Sequence, residues 1–359
     1  WKVAPSELER KRKMKKNDGL SYDDVLLAPQ YSDIRSRSEI NISAHLENRL
    51  NLKLPIIAAP MDTISEAPMA VAMSNQGGAA IIHRYNTIEN QARQVSTAQE
   101  TSHQKLVVGA AVGVTGDFLQ RAEILRAMGV NFLCVDVAHG HHILMKEALT
   151  ALRATVGHDM HIMAGNVATL EGINDLSDWG ADSVRCNIGG GSICSTRIQT
   201  GHGLPGLQTI FECAKTDRNV RIIADGGIKT SGDIVKALAA GADAVMVGSL
   251  LAGTTETPGE VLQDAAGHQW KVYRGMASKE AQINWRGKYS SYEGVSTTVA
   301  YRGSVYDILA DIEKGIRSGL SYSGARSIAE LQAKAQFIKQ TSSGLSESHA
   351  HIMGASYND

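Results

Sequence analysis

Three consecutive glycines lead to a cysteine, and that is where this chain most plainly offers chemistry. Cys194 sits in Gly189-Gly190-Gly191-Ser192-Ile193-Cys194-Ser195-Thr196-Arg197, straight after the apolar run Ser183-Val184-Arg185-Cys186-Asn187-Ile188. A strand that opens into glycines gains dihedral freedom and room for a ligand or ion, then presents a thiol within reach of hydroxyls and a cation. Free cysteines are more commonly small buried hydrophobes. Cys134, Cys186 and Cys213 lie in apolar or helical patterns and are read that way, whereas Cys194 is read as a nucleophile.

Two further loops have binding chemistry. Asp225-Gly226-Gly227 and Gly248-Ser249 each close an apolar run and offer backbone amides and a hydroxyl to a phosphate, with the carboxylate free for ribose hydroxyls. A nucleoside monophosphate fits this set. Asp136 ends another apolar run and reads as an acceptor for a sugar hydroxyl. The following His139, His141 and His142 lack the fixed one-face geometry of a metal site. His83 reads as a satisfied histidine beside Arg84 rather than as an acid or base.

The elements that must position these residues repeat one unit: an apolar run, a polar or glycine-rich loop, and an amphipathic segment. The runs are 55–60, 79–83, 106–113, 132–138, 161–167, 183–187, 220–227 and 244–249. Segments 117–128, 143–155, 170–179 and 231–240 carry apolar residues at helical spacing. Continuous apolar strands alternating with helices predict a parallel sheet, and eight units predict a closed (β/α)8 TIM barrel with its site at the strands' C-terminal ends. A doubly wound sheet is the alternative, but no Gly-x-Gly-x-x-Gly opens a helix near the start. Beyond residue 260 the pattern breaks into a flap at about 272–300 and a helical tail, 304–318 and 327–340. The whole chain is expected to form one catalytic domain.

Composition narrows the function class. The 359 residues are 43% hydrophobic and 20% charged, with 36 basic against 37 acidic side chains, so nothing electrostatic calls for nucleic acid or an anionic membrane. No apolar stretch is long enough to span a bilayer. Cysteines without metal-ligand spacing suggest a reducing, cytoplasmic setting. The basic cluster from Arg10 to Lys16 reads as a solvated, frayed terminus, and a chain beginning at Trp1 leaves the native start open.

Taken together, these residues resemble the IMP dehydrogenase and GMP reductase family. The likeness runs through Ser21-Tyr22-Asp23-Asp24-Val25-Leu26-Leu27, Ala59-Pro60-Met61-Asp62-Thr63, Val108-Gly109-Ala110-Ala111-Val112-Gly113, Ala164-Gly165-Asn166-Val167, the Cys194 loop, Asp225-Gly226-Gly227-Ile228 and Tyr273-Arg274-Gly275-Met276. The resemblance implies a purine nucleotide, GMP or IMP, with its C2 beside Cys194, and hydride exchange with NADP(H) or NAD(H). It implies that Asp225 binds ribose, that Gly227, Gly248 and Ser249 bind phosphate, that Met61 and Met276 flank the base and that Glu293 meets its N1 edge. Ser192, Gly226, Tyr273 and Gly275 complete the implied substrate site. Asp136, Val137, Ala138, Asn166 and Arg185 are implied on the cofactor side, and Thr196 in proton transfer. The carbonyls of Gly189, Gly191 and Cys194 match the family's monovalent-cation loop, for potassium, and a homotetramer is expected.

The framework, including Gly232-Asp233-Ile234-Val235-Lys236 and Gly344-Leu345-Ser346-Glu347, resembles the dehydrogenase. Two features depart from it: there is no room for CBS modules after the second strand, and the flap is short. The dehydrogenase hydrolyses a covalent intermediate, a task matching the adjacent Arg-Tyr pair on its long flap. Here the flap offers Trp285-Arg286-Gly287-Lys288-Tyr289. Many reductases place a catalytic glutamate straight after Met-x-Ser, where this chain has Lys279 and then Glu280, the candidate partner of Thr196. The reading favours GMP reductase. IMP dehydrogenase with Arg286 as base is the alternative, and a nucleotide-binding barrel without catalysis the lesser one.

Overall fold

The structure, a computed structural model, describes residues 19–47, 50–101, 105–290 and 292–349. The basic cluster at 10–16 lies outside the described residues. A short strand β1 (Val25–Leu27) and a hairpin of β2 (Ala44–His45) and β3 (Asn51–Leu52) precede a closed barrel of eight parallel strands. These are β4 (Ile56–Ala58), β5 (Ala79–Ile82), β6 (Val108–Val112), β7 (Phe132–Asp136), β8 (His161–Val167), β9 (Ser183–Cys186), β10 (Arg221–Asp225) and β11 (Ala244–Val247), with β11 pairing back onto β4. Each predicted run contains one barrel strand, and the TIM barrel read from the sequence is the fold.

Both faces of every strand are dry, which is why the strands read as unbroken apolar runs rather than as alternation. Ile57, Ile81, Phe132, Cys134, Met163, Ile223 and Met246 fill the lumen. Their neighbours Ile56, Ile82, Leu133, Val135, Ile162 and Val245 face the helices. Ala44, Leu46, Leu50 and Leu52 pack with the lumen residues, so the β2–β3 hairpin plugs the barrel at the strands' N-terminal ends. The other end is left for a ligand.

The surrounding helices are α1 (Ala67–Asn75), α2 (Ile88–Thr101), α3 (Phe118–Ala127), α4 (Ile143–Val156), α5 (Leu170–Asp178), α6 (Thr196–Thr200), α7 (Gly206–Cys213) and α8 (Ser231–Ala239). Their starts are written locally: Thr230 Oγ1 accepts from Asp233 N while Asp233 Oδ2 accepts from Thr230 N, a reciprocal cap at α8. Helix α2 begins shortly after β5 ends, so nothing is inserted there.

Past the barrel, β12 (Leu262–Gln263), β13 (Gln269–Arg274) and β14 (Ser296–Ala300) form an antiparallel sheet, with helix α9 (Lys279–Arg286) between β13 and β14. The buried Lys271 pins β13 to the loop after β11 by donating to the carbonyls of Thr254 at 3.1 Å and Thr257 at 2.5 Å. The tail is α10 (Val305–Tyr322), α11 (Ile328–Lys334), β15 (Phe337–Lys339) and α12 (Ser342–Glu347). Here one expectation fails: the helix predicted over 327–340 stops at Lys334. The chain then extends to pair antiparallel with β1, Leu26 opposite Ile338, because β1 offers an unpaired edge that local periodicity does not reveal. Among the described residues no helix is long and apolar enough to cross a membrane.

His161, at the start of β8, has its Nε2 2.8 Å from Ser183 Oγ and its Nδ1 3.3 Å from the Glu47 carbonyl oxygen, and burial pushes its pKa from 6.5 down to about 4. Between those values the unfolded chain takes up a proton that the folded chain refuses. Stability from this group is therefore complete above the unfolded pKa and falls as pH drops through the window, by about 3 kcal/mol. Denaturant titrations at stepped pH should show that loss, and His161→Gln should flatten it. A wild-type midpoint that stays level across the window would contradict a buried neutral imidazole.

Candidate active site

A cavity of about 470 Å³ opens at the C-terminal ends of the barrel strands, roofed by the β13–α9–β14 excursion. Every site residue named from the sequence lines it except Glu280. Arg84, Tyr85, Asn187, Gln282 and Ser290 line it too and were not among them. Arg84 and Tyr85 lie two and three residues past the end of β5, and Gln282 and Arg286 are four residues apart on one face of α9, so a strand-end rule and a helical period are the signals for them.

Cys194 is half-buried, whereas Cys134, Cys186 and Cys213 are buried. Its Sγ donates to Thr196 Oγ1 at 3.1 Å, and Thr196 Oγ1 donates to Glu293 Oε2 at 2.8 Å. Backbone bonds hold this line together. Ser195 N donates to the Glu293 carbonyl at 2.9 Å, Val295 N to the Ile193 carbonyl at 3.0 Å, and Glu293 N to the Ala277 carbonyl at 3.0 Å. The Cys194 loop and the roof are thus one hydrogen-bonded unit. The loop approaches the turn after β10 closely: Gly226 has φ +83°, and a Cβ there would lie 3.1 Å from Gly191 N.

This arrangement corrects the expected partner of Thr196. Glu280 sits in the first turn of α9, whose N-cap Ser278 accepts from Ala281 N, and it is exposed. The carboxylate on Thr196 is that of Glu293, brought in by the backbone pairing of Gly294 with Cys194 and Ser278. The metal-like histidines also have other partners. His141 Nε2 lies 2.8 Å from Asp175 Oδ2, and His142 Nδ1 accepts from Leu144 N at the start of α4. His83 is buried with its Nε2 3.0 Å from Glu66 Oε1 but its Nδ1 without a partner, so it is satisfied at one nitrogen only, and it does not line the cavity.

On the cavity floor, Arg185 spans two carboxylates. Its Nη1 donates to Asp136 Oδ1 at 2.5 Å, and its Nε and Nη2 donate to Asp225 Oδ2 at 3.2 and 2.9 Å. Burial works against its charge, but Asp225 and Asp136 outweigh burial and raise its pKa well above the usual value. Asn166 Nδ2 adds a bond to Asp225 Oδ2 at 2.8 Å, while Asn166 Oδ1 is buried without a partner. An unpartnered amide oxygen in a cavity wall suits a donor on a ligand.

The roof is anchored to the loop after β4. Arg274 Nη2 donates to Asp62 Oδ2 at 2.6 Å, and Asp62 N donates to Met276 Sδ at 3.2 Å. Burial raises the Tyr273 pKa, opposed by a hydrogen bond with Ser192. At the far side Trp285 of α9 stacks on Tyr85, with centroids 4.2 Å apart and planes 12° apart, and Arg84 and Arg286 lie against the Trp285 ring.

Comparison with known proteins gives the family. A sequence model of the IMP dehydrogenase / GMP reductase domain matches residues 19–351. The chain belongs to that family. It is 35% identical, over an alignment 475 positions long, to inosine-5'-monophosphate dehydrogenase of Nitrosopumilus maritimus, covering 94% of this chain and 99% of the relative. It is 32% identical to GMP reductase of Leishmania major, covering 93% and 97%. Its fold is similar to the crystal structure of GMP reductase from Trypanosoma brucei in complex with guanosine 5'-monophosphate, with a TM-score of 0.88, 31% identity and coverage of 95% and 99%. It is an NAD(P)-dependent oxidoreductase acting on purine nucleotides.

The exposure pattern makes a direct prediction. Iodoacetamide should modify one thiol per native chain, Cys194, and a bound purine nucleotide should slow that reaction. Peptide mapping that finds Cys134, Cys186 or Cys213 modified first would contradict the burial described here.

Proposed function

We propose that this protein is a GMP reductase, converting GMP, NADPH and a proton to IMP, ammonia and NADP+. The observation that carries the reading is the line from Cys194 Sγ through Thr196 Oγ1 to Glu293 Oε2. As Cys194 adds to C2, its proton passes through the Thr196 hydroxyl to Glu293. The same proton returns through Thr196 to the departing amino group, so ammonia leaves and a thioimidate remains on Cys194. The nicotinamide, when bound, supplies the hydride to C2. Cys194 then departs as thiolate and IMP is released. Asp225 holds the ribose, while Gly227, Gly248 and Ser249 hold the phosphate at the ends of the last two strands. The unpartnered Asn166 Oδ1 and the neighbouring Asp136, Val137 and Ala138 fit a nicotinamide riboside.

The short roof supports this direction, since a reductase resolves its covalent intermediate with hydride rather than with water. Framework likeness does not oppose it, because relatives named GMP reductase match at 32% identity against 35% for a named dehydrogenase. IMP dehydrogenase is the second reading, favoured by Arg286 in the cavity wall. For potassium, the carbonyls of Gly189, Gly191 and Cys194 are oxygen donors of the right type on a turn closed by Cys194 N to Gly191 O at 3.1 Å. A cytoplasmic homotetramer completes the proposal on family likeness alone.

Pure protein with GMP and NADPH should oxidise the cofactor with equal amounts of IMP and ammonia formed. Cys194→Ala should abolish turnover, and Glu293→Gln should lower kcat about 100-fold or more. Formation of XMP from IMP and NAD with potassium, without GMP reduction, would overturn the reading in favour of the dehydrogenase.

A further inference from the structure

We infer that Arg185 is a positioning residue that couples the two halves of the cavity, so that nucleotide and dinucleotide each change the affinity for the other through one shared guanidinium. The assignment of ligands to halves rests on the proposed function; the coupling rests on the geometry of the floor.

Asp136 on β7, Gly165 on β8 and Arg185 on β9 form one row of paired residues across three neighbouring strands. Gly165 clears the way: a Cβ there would lie 2.6 Å from Arg185 Cβ and 2.9 Å from its carbonyl oxygen. With that space open, the guanidinium reaches past β8 to Asp136 while its other edge stays on Asp225 of β10. Its side chain is 9% exposed, so water contributes little and the two carboxylates must answer its charge. They do so through one oxygen each, Asp136 Oδ1 and Asp225 Oδ2.

A ribose hydroxyl donating to Asp225 therefore bonds to a carboxylate whose position is already shared with Asp136, and the converse holds for a hydroxyl on Asp136. Ordering the guanidinium for the first ligand removes part of the ordering cost for the second, which predicts positive coupling. The line continues outward. Arg84 Nη2 donates to the Asp136 carbonyl at 3.1 Å, and Arg84 Cζ lies 5.7 Å from the Trp285 ring centre on the roof helix.

A purely structural arginine would alter stability and both affinities, but not their interdependence. The test is calorimetric titration of GMP with and without saturating NADP+, and of NADP+ with and without GMP. No hydride can pass within this pair, because C2 of GMP carries no hydrogen and NADP+ has none to give, so neither direction of the family's chemistry can turn it over. The wild type should bind GMP about five-fold or more tighter with NADP+ present, and NADP+ tighter by the same factor with GMP present. Arg185→Lys keeps a charge but cannot span both carboxylates, and its coupling factor should fall to near one. Should that variant fail to fold, Arg185→Gln decides: it removes the charge that answers both carboxylates, and with the binding of each ligand alone measured beside it, the effect of each ligand on the other should disappear. A wild-type factor near one, or a factor kept in either folded variant, would overturn the inference.

Discussion

A guanidinium shut away from water needs carboxylates, and at the mouth of this barrel that need fixes three strand ends at once. Leaving such a charge unanswered costs several kcal/mol, so Arg185 on β9 dictates where Asp136 on β7 and Asp225 on β10 must stand. It also dictates what cannot stand between them, since any side chain at Gly165 would collide with it. The same environment silences a neighbour. Cys134 lies 3.5 Å from Arg185 Nη1, yet burial pushes its thiol up to about 12, leaving it an inert part of the lumen. Cys194, half-buried on a glycine loop beside a hydroxyl, is in a different situation.

The floor takes its geometry from residues that end barrel strands, whereas the roof acquires its geometry by being sewn to the Cys194 loop. Backbone bonds from Ser195 to Glu293 and from Val295 to Ile193 run beside the side-chain line from Cys194 to Glu293. The carboxylate is therefore placed by main chain on both sides, and two rotatable elements, Thr196 and Glu293, adjust the last distance. Lys271 and the Asp62–Arg274 pair hold the base of the roof, and the Tyr85–Trp285 stack holds its far edge. A short excursion can be this well defined because it is fastened at three separated places.

How far the sequence reveals this follows from the range of each interaction. Barrel strands buried on both faces announce themselves as apolar runs, and capped helices announce their starts, so the barrel and the strand-end residues are legible without coordinates. Strand β15 is not, because its partner lies more than 300 residues away and Phe337-Ile338-Lys339 is too short to show a period. Glu280 stands one residue beyond the position after Met-x-Ser that many reductases give to a glutamate, so spacing along the chain only nominates it as a partner of Thr196. The Ser278 cap starts a helix there and turns that carboxylate to solvent, while Glu293 arrives through a bridge between Gly294 and Cys194. Arg84 and Tyr85 belong to no motif, and only their place just past the end of a barrel strand marks them.

The difference between the two chemistries open to this family comes down to how many proton acceptors must stand near C2. Reduction needs one: the group that takes the Cys194 proton can return it to the leaving nitrogen, and the Thr196–Glu293 line is sufficient for both. Hydrolysis of a covalent intermediate needs a second, to take a proton from water. Arg286 is near enough to be considered, but its Nη2 donates to Gln282 Oε1 at 3.0 Å and its Cζ lies 5.1 Å from the Trp285 ring centre. Both are contacts that a charged guanidinium makes, and a base must first be neutral. The proposed direction therefore rests on the Thr196–Glu293 line as the one carrier of the Cys194 proton.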